Sequence, residues 1–333
     1  MPYVTWQEFS SGGRPQGGTI RESLQNFVAN VAPQETPLLS GLQQVRVQST
    51  YVEWLEDTLP ARGFNAVKEG ISYTEMAVSL PIRRFAHCQT FYKSGAVSDI
   101  ERLVSHAGFE DPMVYAEQKA FLSLKNDIEH ALHQGTAATG STDAYRQIGG
   151  LLSILTTNFT NMISVGASYY TGVTLTESIL NDILELVYAN GTVQPSELYC
   201  GPKIKRTISG MNTKTTFQLN AAERRQILAT DWYVSDFGDL KIFLARDQAK
   251  TSGKLCSGPI TELDADDRPP TDKDNSFVVI DPRYFQTGWL HEVRREILPR
   301  DGLRDRFQLS ATVCLICKSE RAGGGARGLS ANI

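Results

Sequence analysis

Asp127, His130 and His133 fall within two turns of one segment with helical spacing, so two imidazoles and a carboxylate share a face. A zinc site would need a further ligand, and the neighbouring sequence supplies none, so the set reads as a solvated helix face. Asp264, Asp266, Asp267, Asp272 and Asp274 crowd a Pro-containing loop that lacks the glycine and closing glutamate of a calcium-binding loop. Solvated carboxylates with a weak contact to cations are the expectation there. Cys314 and Cys317 form a CxxC with no second CxxC and no paired histidine, and the local alternation sends the two thiols to opposite faces. Gly253-Lys254 lacks both the preceding glycine and the following Ser or Thr of a phosphate loop. There is no GxSxG elbow, and none of the 5 histidines in 333 residues lies beside a plausible nucleophile. The chain reads as built for contact rather than turnover, with no catalytic residue, metal ligand or cofactor assigned.

Composition narrows the class further. With 41% hydrophobic and 21% charged residues the chain is ordinary globular material, enough for one large domain or several smaller ones. A net charge of -4 argues against a general nucleic-acid binder, which carries a basic excess where it meets phosphate. No basic start followed by an apolar core marks a secretory leader. No apolar run approaches the ~20 residues needed to cross a bilayer. The odd, scattered set Cys88, Cys200, Cys256, Cys314 and Cys317 reads as reduced thiols rather than a disulfide framework.

With chemistry set aside, the elements that reach outward carry the reading. Between Ser49 and Asp99, two polar-rich arms flank a Gly-containing tip: Thr50 to Asp57, and about Val78 to Ser94. Aromatics are strewn along both (Tyr51, Trp54, Phe85, Phe91, Tyr92) and neither shows one clean apolar face. A ribbon of two strands is marginal alone in water, so its stability is expected to come from another copy of the chain. Glu53, Glu56 and Asp57 on one arm, and Arg83, Arg84 and Lys93 on the other, are then expected to meet charges on neighbours.

Residues 1–48 form a polar arm with a glycine-rich stretch, helical spacing over Ile20 to Val31, breaks at Pro33 and Pro37, and anchors at Leu38, Leu39 and Leu42. The clearest helix follows the ribbon. Asp111 is placed to cap it, Pro112 takes its first position and Gly135 ends it. Met113, Ala116, Ala120, Phe121, Leu124, Ile128, Ala131 and Leu132 make its apolar stripe. Glu117, Lys119, Lys125, Asp127, Glu129, His130 and His133 are expected on the wet face. Thr174 to Glu177 predicts a capping box for a second helix ending at Asn190-Gly191. Strands and helices then interleave to about residue 300, which predicts an α+β unit. Phe307, Leu309, Ala311, Val313, Leu315 and Cys317 alternate with polar residues, predicting a strand whose apolar face lies under the long helix. The glycine-rich run from Ala322 to Gly328 is expected to be a flexible tail.

This order of arm, ribbon, long helix, α+β unit and terminal strand resembles the major capsid (head) proteins of tailed bacteriophages, the HK-ninety-seven-like shell fold. The likeness extends to local segments: Glu53-Trp54-Leu55-Glu56-Asp57, Gln89-Thr90-Phe91-Tyr92-Lys93, Gly149-Gly150-Leu151-Leu152-Ser153, Gly201-Pro202-Lys203-Ile204-Lys205-Arg206, Tyr233-Val234-Ser235-Asp236-Phe237-Gly238 and Asp281-Pro282-Arg283-Tyr284-Phe285. The resemblance implies an N-arm over 1–48, an E-loop over 49–98, a peripheral domain with the spine helix over 99–173, and an axial domain over 174–295. Residues 296–333 are then the peripheral return strand with its tail. It implies intersubunit contacts from Glu53, Trp54, Glu56, Asp57, Lys68, Glu69, Arg83, Arg84 and Lys93 on the E-loop, and from Arg14, Arg21 and Phe27 on the arm. Partners implied are the chain itself in hexamers and pentamers, a separate scaffolding protein, portal and decoration proteins, and enclosed double-stranded DNA, in a virion and with no membrane. Some shells of this fold cross-link a Lys of the E-loop to an Asn. Here only Lys68 is visible, and no covalent link is expected. Two other readings compete: a ring-forming tail or adaptor protein, and a metal-assisted hydrolase using the acidic loop with His130 and His133.

Overall fold

In a computed structural model the described residues are 35–59, 63–64, 66–70, 72, 80–106, 111–140, 145–161, 163–165, 170–191, 194–211, 219–220, 225–226, 231–248 and 275–330. The expectations for the helical segment Ile20 to Val31, for Arg14, Arg21 and Phe27, for Gly253-Lys254, for Cys256 and for the aspartates 264 to 274 lie outside them.

The chain order is α1 (Pro37–Gly41), β1 (Gln43–Arg46), β2 (Tyr51–Glu56), β3 (Ile82–His87), β4 (Gln89–Ser98), α2 (Asp99–Leu103), α3 (Pro112–Gln134), α4 (Leu151–Ile154), β5 (Phe159–Asn161), β6 (Ile163–Val165) and β7 (Tyr170–Thr174). It continues with α5 (Glu177–Asn190), β8 (Glu197–Cys200), α6 (Pro202–Met211), β9 (Leu219–Asn220), β10 (Arg225–Gln226), β11 (Trp232–Ser235), β12 (Gly238–Leu244), β13 (Asn275–Ile280), β14 (Phe285–Leu298), β15 (Arg304–Cys317) and β16 (Gly323–Ser330).

The period-2 pattern of β15 sets the first layer. β15 pairs antiparallel with β14 on one side and β4 on the other, and β1 completes the order β1-β14-β15-β4. Its odd-numbered residues, Phe307 to Cys317, enter one core with Leu124, Ile128, Ala131 and Leu132 of α3. The expected helix-over-strand packing is therefore present. Gly95, opposite Phe307, makes that close approach possible, since a Cβ there would stand 2.5 Å from the Phe307 ring. α3 begins where its cap is placed: the Asp111 side chain accepts from the Met113 N–H at 2.8 Å, and Gly135 closes the far end.

The second layer has the order β11-β12-β8-β13-β16-β7-β6, with β5 also on β16. Its core packs Leu180, Ile183 and Leu184 of α5 against Leu198, Phe277, Val279 and Leu329. α5 is capped by Thr176, whose side chain accepts from Ile179 N–H at 3.4 Å, two residues later than the capping box at Thr174 would put it. Tyr199, Val278 and Ile280 of this sheet point the other way, into the first core, so the layers share a seam.

Three expectations are corrected. The run Ala322 to Gly328 is not a loose tail: β16 is a buried interior strand, antiparallel to β13. Its glycines are there for space, because a Cβ on Gly325 would meet the Phe277 carbonyl oxygen at 2.4 Å and one on Gly324 the Val187 side chain at 2.5 Å. The proposed limits of the axial unit also shift. β14 begins at 285 inside the first sheet, while β5 to β7 and the returning β16 belong to the second. Finally, Glu129 and His133 are not on a wet face; they are 1% and 0% exposed.

Candidate assembly interface: the ribbon, its root and the arm anchor

β2 and β3 pair only with each other, Tyr51 opposite His87 through Glu56 opposite Ile82. Because cross-strand partners share a face, this register sorts the ribbon into two sides. Tyr51, Glu53 and Leu55 lie with Arg83, Phe85 and His87 on the outer side. Val52, Trp54 and Glu56 lie with Ile82, Arg84 and Ala86 on the inner one.

The inner side is docked on its own subunit. Val52, Trp54 and Ala86 pack on a small cluster of Val47, Cys88, Cys314 and Ile316. Glu56 accepts from Arg84 Nε at 2.7 Å and from the Ser319 hydroxyl at 3.2 Å. The bond to Glu56 holds the Arg84 guanidinium above its ordinary pKa. The sequence reading expects Trp54 and Glu56 to meet neighbours, and within the subunit both stand half-buried on the inner side. The strict exposed/half-buried alternation of Tyr51 to Glu56 is the signal that separates the faces.

The outer side is bare. Tyr51 stacks on Phe85 with ring centroids 5.2 Å apart, and both are exposed, as is Leu55 at 67%. Arg83 pairs with Glu53 at 3.3 Å along the same face. Past the paired strands, Leu59 and Phe64 stand 94% and 95% exposed, with Val67 and Leu80 also bare. Asp57, Lys68 and Glu69 are exposed in this outer part. These bare apolar side chains, rather than the charges, are what the charge-centred reading of the sequence missed.

Lys93 is not on the ribbon. The second arm divides at Cys88, and β4 continues as an edge strand of the first sheet. There Lys93 meets Asp127 of α3 at 2.6 Å.

The arm enters on a buried carboxylate. Glu129 Oε1 and Oε2 accept the backbone N–H groups of Leu38 and Leu39, each at 2.8 Å, so a side chain of α3 caps the first turn of α1. His133 Nε2–H donates to Glu129 Oε1 at 3.2 Å, and Gln248 Nε2 donates to His133 Nδ1 at 2.8 Å. The Ser276 hydroxyl reaches both the backbone oxygen and Oε1 of Gln248, at 2.8 and 2.9 Å. With Oε1 engaged by Ser276, the amide N–H of Gln248 faces the ring, so Nδ1 is the acceptor and Nε2 the N–H that points to Glu129. His130 turns to Asp247 at 2.9 Å. The Asp127, His130, His133 set is thus not assembled, each side chain going to a different partner. Among the described residues no group of three His, Cys, Asp or Glu side chains is arranged to hold a metal.

The whole chain also finds its relatives. A family model described as the SU10 major capsid protein matches residues 4–330. Among solved structures, the Cyanophage A-1(L) capsid asymmetric unit superposes with a TM-score of 0.61 at 12% identity, covering 93% of this chain and 97% of that one. The capsid of Myoviridae Phage XM1 gives 0.60 at 15%, over 94% and 100%. The capsid of a native GTA particle gives 0.59 at 14%, over 94% and 97%. No curated protein matches. At these identities the structures establish a shared fold, the HK-ninety-seven-like shell fold, and the family model establishes descent: the chain belongs to the SU10 major capsid protein family and is a shell-forming capsid protein of the virion.

Proposed function

We propose that the subunit builds its shell from hexamers and pentamers, with the outer side of the ribbon as the principal contact that each subunit lays on a neighbour. The observation that carries this is the pairing of a docked inner side with a bare apolar outer one on the same two strands. Trp54 and Val52 fix the ribbon's direction from within the subunit, while Tyr51, Leu55 and Phe85 remain uncovered. Large exposed apolar groups on a positioned element mark an interaction surface. Many modest contacts suit a closed shell, since a micromolar interface is worth only about 8 kcal/mol and misplaced subunits can still leave.

The role proposed is structural, without catalysis, and the enclosed cargo is double-stranded DNA held without sequence recognition. Assembly takes place in the host cytoplasm, with scaffolding and portal proteins as separate chains. Leu55→Asp with Phe85→Asp tests the central claim. Unassembled subunits should unfold in urea as wild type does, while electron micrographs show no closed shells. Normal shells from the double variant would refute the proposed contact.

A further inference from the structure

The ladder between β4 and β15 pairs Thr90 with Thr312 and Gln89 with Val313, and one more step in the same register sets Cys88 against Cys314. The backbone N–H of Cys88 turns away from β15 and donates to Thr50 O at 2.9 Å. The two cysteines therefore face each other as a non-hydrogen-bonded antiparallel pair. That arrangement has the shorter Cα separation, roughly 4.5 Å, inside the span of a disulfide.

Both side chains enter the same small cluster at the root of the ribbon, and they are 1% and 0% exposed. The two thiols are neighbours in that cluster, and the Cys88 Sγ–H donates to Ser49 O at 3.5 Å. Gly288 makes the room for this: it pairs with Cys314 from the opposite strand, and a Cβ there would stand 2.6 Å from Cys314 Sγ. The neighbouring Cys314 thiol, with help from the charge of Arg146, lowers the pKa of Cys88, while the closeness of Cys88 and burial raise that of Cys314. Cys88 is thus the thiol that ionises first.

We propose that Cys88 and Cys314 are a disulfide-forming site, a redox-controlled staple within one subunit that fixes the root of the ribbon to the return strand. With a small disulfide such as oxidised glutathione as oxidant, the Cys88 thiolate attacks one sulfur and releases a glutathione thiolate. Cys314, losing its proton to solvent, then attacks the Cys88 sulfur of the mixed disulfide and releases the second glutathione. Two protein thiols are oxidised and one glutathione disulfide is reduced to two thiols. Reducing conditions during assembly keep the root adaptable, and an oxidising medium outside a cell closes it. The staple is independent of which neighbour the ribbon touches.

The test is native oxidation of the full-length protein with oxidised glutathione at about pH 8, followed by alkylation in denaturant and non-reducing peptide mass spectrometry. The expected result is a linked Cys88–Cys314 peptide and the loss of two alkylatable thiols, both reversed by dithiothreitol. Cys200 and Cys317, buried in two other clusters, should stay reduced. In Cys314→Ser the reaction should stop at glutathione on Cys88. Full alkylation of Cys88 and Cys314 after a treatment that oxidises the urea-unfolded chain would overturn the proposal. So would a wild-type product in which Cys88 is linked to any other cysteine or carries glutathione beside a free Cys314.

Discussion

Glu129 and His133 stand one helical turn apart on α3, their side chains 3.2 Å from each other and both sealed from solvent. Through them the entry of the arm at Leu38 and Leu39 is joined to Gln248 and, through it, to Ser276 of β13 in the second sheet. Three donors converge on the one carboxylate, two backbone N–H groups and the imidazole N–H. Glu129→Ala leaves all three buried without an acceptor, which should cost roughly 3–5 kcal/mol. Glu129→Gln keeps one acceptor oxygen and should lose less. Urea unfolding of unassembled subunits measures both, and equal stability of the Glu129→Ala variant and wild type would contradict the network.

The two sides of the ribbon should respond differently to substitution. Trp54→Ala removes the half-buried indole from the cluster at the root and should destabilise the subunit itself by about 2–3 kcal/mol. Glu53→Lys, on the exposed outer side, should stay within about 0.5 kcal/mol of wild type. Glu56→Lys belongs with Trp54, because it sets a second cation beside Arg84 and removes the acceptor of Ser319. Comparing urea midpoints of the three single variants checks the order.

Gly325 is a volume constraint. An alanine there would press its Cβ to 2.4 Å from the Phe277 carbonyl oxygen, a backbone atom that can give way only by moving β13. Gly325→Ala should cost roughly 1–3 kcal/mol or more, as overpacking does. Little soluble protein, or a urea midpoint well below wild type, is the expected observation.

Glu320 gives a pH dependence of known sign. Burial alone would push its carboxyl upward. Bonds from the Thr156 hydroxyl and N–H and from the Thr157 N–H outweigh that and hold the pKa below the usual 4.5. A carboxyl with a depressed folded pKa adds stability above its unfolded pKa and loses it as pH falls through the folded value. The gap in urea stability between wild type and Glu320→Gln should therefore be full at about pH 6–7 and shrink below about pH 4.5.

What the sequence determined by itself is everything fixed by near neighbours along the chain. The apolar stripe of α3 with its Asp111 cap, and the alternation of β15, depend on residues within a few positions of one another, and both stand where the pattern puts them. Cys314 and Cys317 also diverge into different clusters, as a three-residue spacing on a strand requires. The tertiary structure decided what depends on partners far away in the chain. Glu129 reads as a wet-face residue until Leu38, 91 positions earlier, supplies its donors. The glycines of β16 read as a tail until β13 and α5 close on them. The ribbon shows no clean face in one dimension because its inner side is defined by Cys314 and Ile316, more than two hundred residues further on. Periodicity records which side of an element is apolar, whereas the burial of a charge, a glycine or one side of a ribbon is a property of the surface that meets it.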